Sequence, residues 1–114
     1  RRSIRVSMGH VFRVPTVRVD SLSGFLLELR DKGVSTYASA IDGDTQLLEK
    51  MAPGSVNQGW CCVMGNEANG VSLECRKACD YSIRIGMEPG VDSLSVPIAT
   101  GILLHGLKER ETSP

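Results

Sequence analysis

The chain has 114 residues, 41% of them hydrophobic and 23% charged, and none of its apolar runs is long enough to cross a bilayer. With no signal-peptide-like start, one soluble globular domain is expected. Formal net charge is zero and aromatic residues make up only 4%, which argues against a surface of stacking rings and favours helices packed closely on a sheet.

Charge is unevenly spread. Arg1, Arg2, Arg5, Arg13 and Arg18 fall within the first 18 residues with no acid among them, leaving eight Lys or Arg against thirteen Asp or Glu in the rest. Such a basic edge could contact phosphates, since neutralising each one releases counterions; a solvated N-terminal face accounts for five arginines equally well.

In chain order, Ser3 to Phe12 is compatible with a short helix carrying Ile4, Met8, Val11 and Phe12 on one side, ended by Pro15. Thr16 to Val19 alternates as a half-buried strand. Asp20 or Ser21 can cap a helix in which Leu22, Phe25, Leu26 and Leu29 recur at helical spacing, with Gly33 as its stop. Val34 to Ala38 reads as a strand followed by a loop over residues 39–44. Residues 45–51 allow a short helix, closed by a turn at Pro53-Gly54.

Trp60 to Met64 is apolar without alternation, as expected of a central strand covered on both faces. Ser72 can cap a helix with Glu74 in its first turn and Arg76 and Lys77 near its end, the order the helix dipole favours. Tyr81, Ile83 and Ile85 alternate with Ser82 and Arg84, predicting a strand with one drier face. The last element, Ser93 to about Leu107, is apolar almost all round, which predicts burial. Lys108 to Pro114 reads as a tail. Strand and helix alternate throughout, so the expected class is α/β with a mainly parallel sheet and ligand loops at the carboxyl ends of the strands.

The four cysteines lack the paired spacing of a structural zinc site. Adjacent Cys61 and Cys62 point to opposite faces of a strand, while Cys75 and Cys79 share one helix face. Buried free thiols in a reducing intracellular compartment are the simplest account. His10 and His105 have no nearby ligand set, so packing or surface roles are expected and no metal is.

Chemistry concentrates in two stretches. Val63-Met64-Gly65-Asn66-Glu67-Ala68-Asn69-Gly70 and Arg84-Ile85-Gly86-Met87-Glu88-Pro89-Gly90-Val91-Asp92-Ser93-Leu94-Ser95-Val96 each take a hydrophobic strand into a glycine-bearing loop. The two could open at one sheet edge and expose backbone groups to a ligand. The first lacks the glycine spacing of a dinucleotide fingerprint or a P-loop, so a generic nucleotide-binding domain is the weaker reading. Taken singly, Asn66 suits a turn, Glu67 a helix start and Ser93 an N-cap.

In order and separation, however, these stretches resemble the second and third motifs of the SpoU/TrmH branch of the SPOUT RNA methyltransferases, roughly G-x-E-x-x-G and I-P-M-x-x-G-x-x-S-L-N-V. Ser7-Met8-Gly9-x-x-Phe12-x-x-Pro15 is similar to that family as well. The resemblance implies a SPOUT-like α/β fold with a C-terminal trefoil knot and a homodimer acting on tRNA or rRNA. It also implies S-adenosylmethionine-dependent methyl transfer to a ribose 2′-hydroxyl. Glu67, Ser93 and Ser95 then correspond to the family's polar catalytic positions, and Met64, Gly65, Asn66, Ile85, Met87 and Leu94 to its cofactor pocket. Arg5 and Arg13 are the candidates for RNA contact.

Three residues depart from the family pattern: Ser95 for Asn, Gly86 for Pro, and Pro97 for a small residue. Cofactor binding tolerates these changes better than catalytic rate does, because a serine lacks the amide fork of asparagine. The family's first motif, N-x-G-x-x-x-R, has no counterpart here. Residues 1–107 are therefore expected to be the C-terminal portion of a longer catalytic domain, the alternative being a noncatalytic RNA- or cofactor-binding module of the same fold.

Overall fold

Four parallel strands make up the sheet in this computed structural model, which describes residues 17–40, 45–65, 70–86 and 96–112. The elements are α1 (Leu22–Asp31), β1 (Ser35–Ser39), β2 (Gln46–Leu47), a 3-10 turn η1 (Leu48–Lys50), β3 (Trp60–Val63), α2 (Leu73–Ala78), β4 (Tyr81–Arg84) and α3 (Val96–Glu109). The strand order is β2-β4-β1-β3, with Tyr37 beside both Cys62 and Tyr81. This is the expected α/β architecture. Among the described residues no helix is long and apolar enough to cross a membrane.

Local signals set the helix ends. The Ser21 hydroxyl accepts from the Gly24 N–H at 3.2 Å, and α1 gives way at Gly33, whose φ of 83° an L side chain rarely adopts. Ser72 caps α2 in the same way through the Cys75 N–H at 3.2 Å.

The sheet separates two apolar clusters. On one side Leu26 of α1 and Cys75 and Ala78 of α2 cover Ala38 and Val63; on the other, Leu103 and Leu107 of α3 join Leu48 of η1 over Tyr37 and Ile83. Cys61 and Cys62 fall in different clusters, as the two-residue period of a strand requires. Burial, with neighbouring Cys61 and Cys79, pushes the Cys62 thiol up to about 12, so it stays protonated and unreactive near neutral pH.

Several expectations need correction. Residues 17–19 form no strand, and Val17 is largely exposed; alternation over so short a run offers no partner to pair with. Residues 46–50 form a two-residue strand and a 3-10 turn in place of a helix. β3 is covered on both faces but lies at the end of the described sheet, and the interior places belong to β4 and to β1, whose first four residues are all buried. Tyr81 on the supposedly dry face of β4 is exposed, while Ile83 is fully buried.

Helix α3 is buried along only one side. Leu103 and Leu107 are inside, but Ile98 is 56% exposed and Ile102 and Leu104 also face outward. Composition reports how apolar a helix is and not which of its faces this chain covers. The supposed tail docks as far as Thr112. The Val56 N–H donates to the Arg110 carbonyl and the Thr112 N–H to the Val56 carbonyl, and the Trp60 indole N–H donates to Glu111 at 2.6 Å. The indole donor needs an acceptor when half-buried, and Glu111 supplies it. The expected helix over residues 3–12 and loop residues 41–44 lie outside the described residues, as do residues 87–95, which lead into the helix expected to be threaded.

At the edge where β1 and β4 begin, Asp80 stands in for a strand carbonyl. Its carboxylate accepts from the Thr36 N–H at 3.0 Å, the Thr36 hydroxyl at 3.3 Å and Arg30 Nε at 3.0 Å, while its own N–H donates to Thr36 Oγ1 at 2.8 Å. Burial raises the Asp80 pKa, but the hydrogen bonds from Thr36 and Arg30 outweigh it and hold the carboxyl below the ordinary carboxylate range. The Arg30 side chain is 47% exposed, so the stabilisation comes mainly from the buried Thr36 groups and little from the ion pair.

Asp80→Ala leaves those donors unpaired and is expected to cost about 2 kcal/mol in urea unfolding. A depressed folded pKa means that the stabilising contribution is fully present above roughly pH 4 and disappears as pH falls through the lower folded value. The gap between wild type and Asp80→Ala should therefore narrow below that point; a pH-independent gap would mean that the carboxylate charge has no part in it.

Candidate functional site

Because all the strands point the same way, β3 and β4 deliver their following residues to one edge of the sheet, with the end of β1 between them. Met64 follows β3 and Ile85 follows β4. Both are half-buried and pack on the cluster formed by Tyr37, Leu48, Leu103 and Leu107, so the α3 side of the sheet carries two apolar groups that flank the exit of β1. The Cys62 thiol approaches Met64 Sδ at 3.8 Å beneath them.

The first loop is closed by backbone contact. A Cβ on Gly65 would overlap the Gly70 carbonyl group and the Val71 nitrogen, and Gly70 has a φ of 67°. Gly65 therefore allows the two ends of the 66–69 loop to meet, and Gly70 turns the chain back toward α2. Any side chain at position 65 would force the loop apart.

The second loop leaves the sheet at Gly86. Its N–H donates to Glu49 Oε1 at 2.8 Å, and a Cβ there would lie 2.5 Å from Glu49 Oε2. Just before it, Arg84 has a buried Nε with no hydrogen-bond partner among the described residues. Neither Glu49 nor the burial of Arg84 was legible beforehand: position 49 read as part of a short helix and Arg84 as one polar step in an alternating strand.

Of the residues singled out from the sequence, the structure brings Met64, Gly65 and Ile85 to the same sheet edge. Asn66, Glu67, Met87, Ser93, Leu94, Ser95, Arg5 and Arg13 lie outside the described residues. His105 is on the surface and meets Glu109 at 3.1 Å one helical turn on. Among the described residues no cluster of three or more His, Cys, Asp or Glu could hold a metal ion. A cavity of about 550 Å³ lies beside Tyr37, Lys50 and Tyr81, at the start of β4.

Known proteins share this arrangement. The chain is 33% identical over 100 residues to the 23S rRNA (guanosine-2′-O-)-methyltransferase RlmB of Xanthomonas axonopodis pv. citri, an alignment covering 88% of this chain and 39% of that protein. The AdoMet-bound rRNA methyltransferase of Sinorhizobium meliloti superposes with a TM-score of 0.78 at 29% identity, over 97% of this chain and 41% of the other. The SpoU methyltransferase AviRb of Streptomyces viridochromogenes, solved in complex with the cofactor AdoMet, gives 0.73 at 29% identity over 96% and 44%. The chain thus spans less than half the length of each of these relatives. Residues 1–105, which include both loop-bearing strands and most of α3, match the SpoU rRNA Methylase family, and the chain belongs to that family.

Proposed function

We propose that this chain supplies the cofactor-binding part of an S-adenosylmethionine-dependent methyltransferase acting on a ribose 2′-hydroxyl of tRNA or rRNA. The observation that carries the reading is the shared sheet edge, where Met64 and Ile85 flank the exit of β1 within a family match running from residue 1 to residue 105. Two half-buried apolar side chains beside glycine-bounded loops suit the adenosine of this cofactor, so the groups present fit it. When bound, it supplies an electrophilic methyl group for in-line displacement by an oxygen.

In this reading Met64, Gly65, Asn66, Ile85, Met87 and Leu94 enclose the cofactor, and Glu67, Ser93 and Ser95 orient the ribose or its phosphate. The substrate oxygen must be aligned with the methyl group and relieved of a reluctant proton. Arg5 and Arg13 contribute phosphate contacts. The final helix α3 is threaded through a preceding loop to form the knot, and residues 1–107, with the docked stretch that follows as far as Thr112, belong to the C-terminal portion of the catalytic domain.

A homodimer completes the proposal. Ile98 and Ile102 are one helical turn apart on the open side of α3, and a Cβ on Gly101 between them would meet nothing within 4 Å. An exposed apolar strip of this kind calls for a covering surface. In the full-length protein Ile98→Lys is expected to convert dimer to monomer in sedimentation equilibrium, and an unchanged dimer would refute this interface.

Binding and turnover test the rest. Wild-type protein should bind S-adenosylmethionine in calorimetry, and neither NAD nor ATP should compete. Gly65→Val should weaken that binding by about tenfold or more, since the side chain must displace backbone. Glu67→Ala should lower 2′-O-methylation of RNA by about a hundredfold while shifting the unfolding midpoint little; equal losses of activity and stability would assign Glu67 a purely structural role. Mapping 2′-O-methyl marks after deletion of the gene identifies the target, and an unchanged set of marks would favour a noncatalytic binder.

A further inference from the structure

The 3-10 turn η1 touches both flanks of segment 87–95. Leu48 is 4% exposed and lies against Gly106 of α3, where a Cβ would come within 2.6 Å of Leu48 Cδ2. The next residue, Glu49, accepts the 2.8 Å hydrogen bond from the Gly86 N–H, at the point where the chain leaves β4. One short turn therefore grips the strand that enters the segment and the helix that follows it.

Gly86 lies beyond the last residue of β4, outside the strand ladder. A glycine at the root of a loop is a pivot, because the absence of Cβ leaves its backbone the widest choice of conformations. A carboxylate bound to its N–H removes much of that freedom, and hydrogen bonds to an ionised acceptor are stronger than neutral ones. The pair is also matched in shape. Glu49 Oε2 lies where a Cβ at position 86 would come within 2.5 Å, so a side chain there would push the carboxylate aside.

We propose that Glu49 is a positioning residue that fixes the backbone at Gly86, where the chain leaves β4 beside Ile85, and so presets the cofactor pocket. The inference rests on the reading of this exit as part of an S-adenosylmethionine site. Glu49 is itself exposed, so its tie to Gly86 governs the local backbone far more than it governs global stability.

The test uses the full-length protein with two readouts: calorimetric titration with S-adenosylmethionine and amide hydrogen exchange at Gly86. Glu49→Ala is expected to bind about fivefold more weakly, with an unchanged unfolding midpoint, as fits the loss of one charge-assisted hydrogen bond. The Gly86 amide should exchange about tenfold faster in the same variant, reporting local opening. Glu49→Gln keeps a carbonyl oxygen in place and should stay within about twofold of wild type in both readouts. Wild-type affinity in Glu49→Ala, or an unaltered Gly86 exchange rate, would overturn the proposal. So would a glutamine variant as impaired as the alanine one. If the wild-type protein itself fails to bind S-adenosylmethionine, the functional reading falls, while the exchange rate still decides whether Glu49 restrains Gly86.

Discussion

The parallel direction of all four strands is the constraint on which the rest depends. A parallel ladder cannot be closed by hairpins, so each connection must travel back across a face before the next strand begins. The returning segments α2 and η1 cover opposite faces, and they are joined by α1, which precedes β1, and α3, which follows β4. The same constraint sends the ends of β3, β1 and β4 to one edge and their beginnings to the opposite one, which separates the part that holds the chain together from the part that can bind.

That division is visible in the chemistry of the two edges. Where the strands begin, Asp80, Thr36 and Arg30 satisfy one another and tie α1, β1 and β4 into a single unit. Where they end, the residues are glycines and half-buried apolar side chains, and the notable polar tie is the one between Glu49 and Gly86. Pre-organised sites need such support, because a loop of glycines alone would lose too much conformational freedom on binding.

Features that depend on neighbours in sequence were legible before any coordinates. Ser21 and Ser72 cap helices because a hydroxyl three residues from an unpaired N–H can reach it whatever the tertiary context. Gly33 ends α1 for an equally local reason. Features set by distant contacts were not: η1 replaces the helix suggested by residues 45–51 because Leu48 seats on Gly106 and Glu49 on Gly86, partners more than thirty residues away. Similarly, the apolar run of β3 correctly indicated cover on both faces yet wrongly placed the strand in the middle of the described sheet, a position set by pairing with distant strands.

By itself, the order of residues determined α1, α2 and the strands β1, β3 and β4, the segregation of Cys61 from Cys62, and the two glycine-bearing stretches whose spacing resembles the SpoU motifs. These depend on periodicity and short-range chemistry, both of which a linear string carries. Tertiary structure alone decided that Met64 and Ile85 share one cluster, that α3 leaves Ile98 and Ile102 uncovered, and that Glu49 holds the exit of β4. Those outcomes follow from how strands twenty or more residues apart come to lie in register, and the free energy that selects the register belongs to the packed core as a whole.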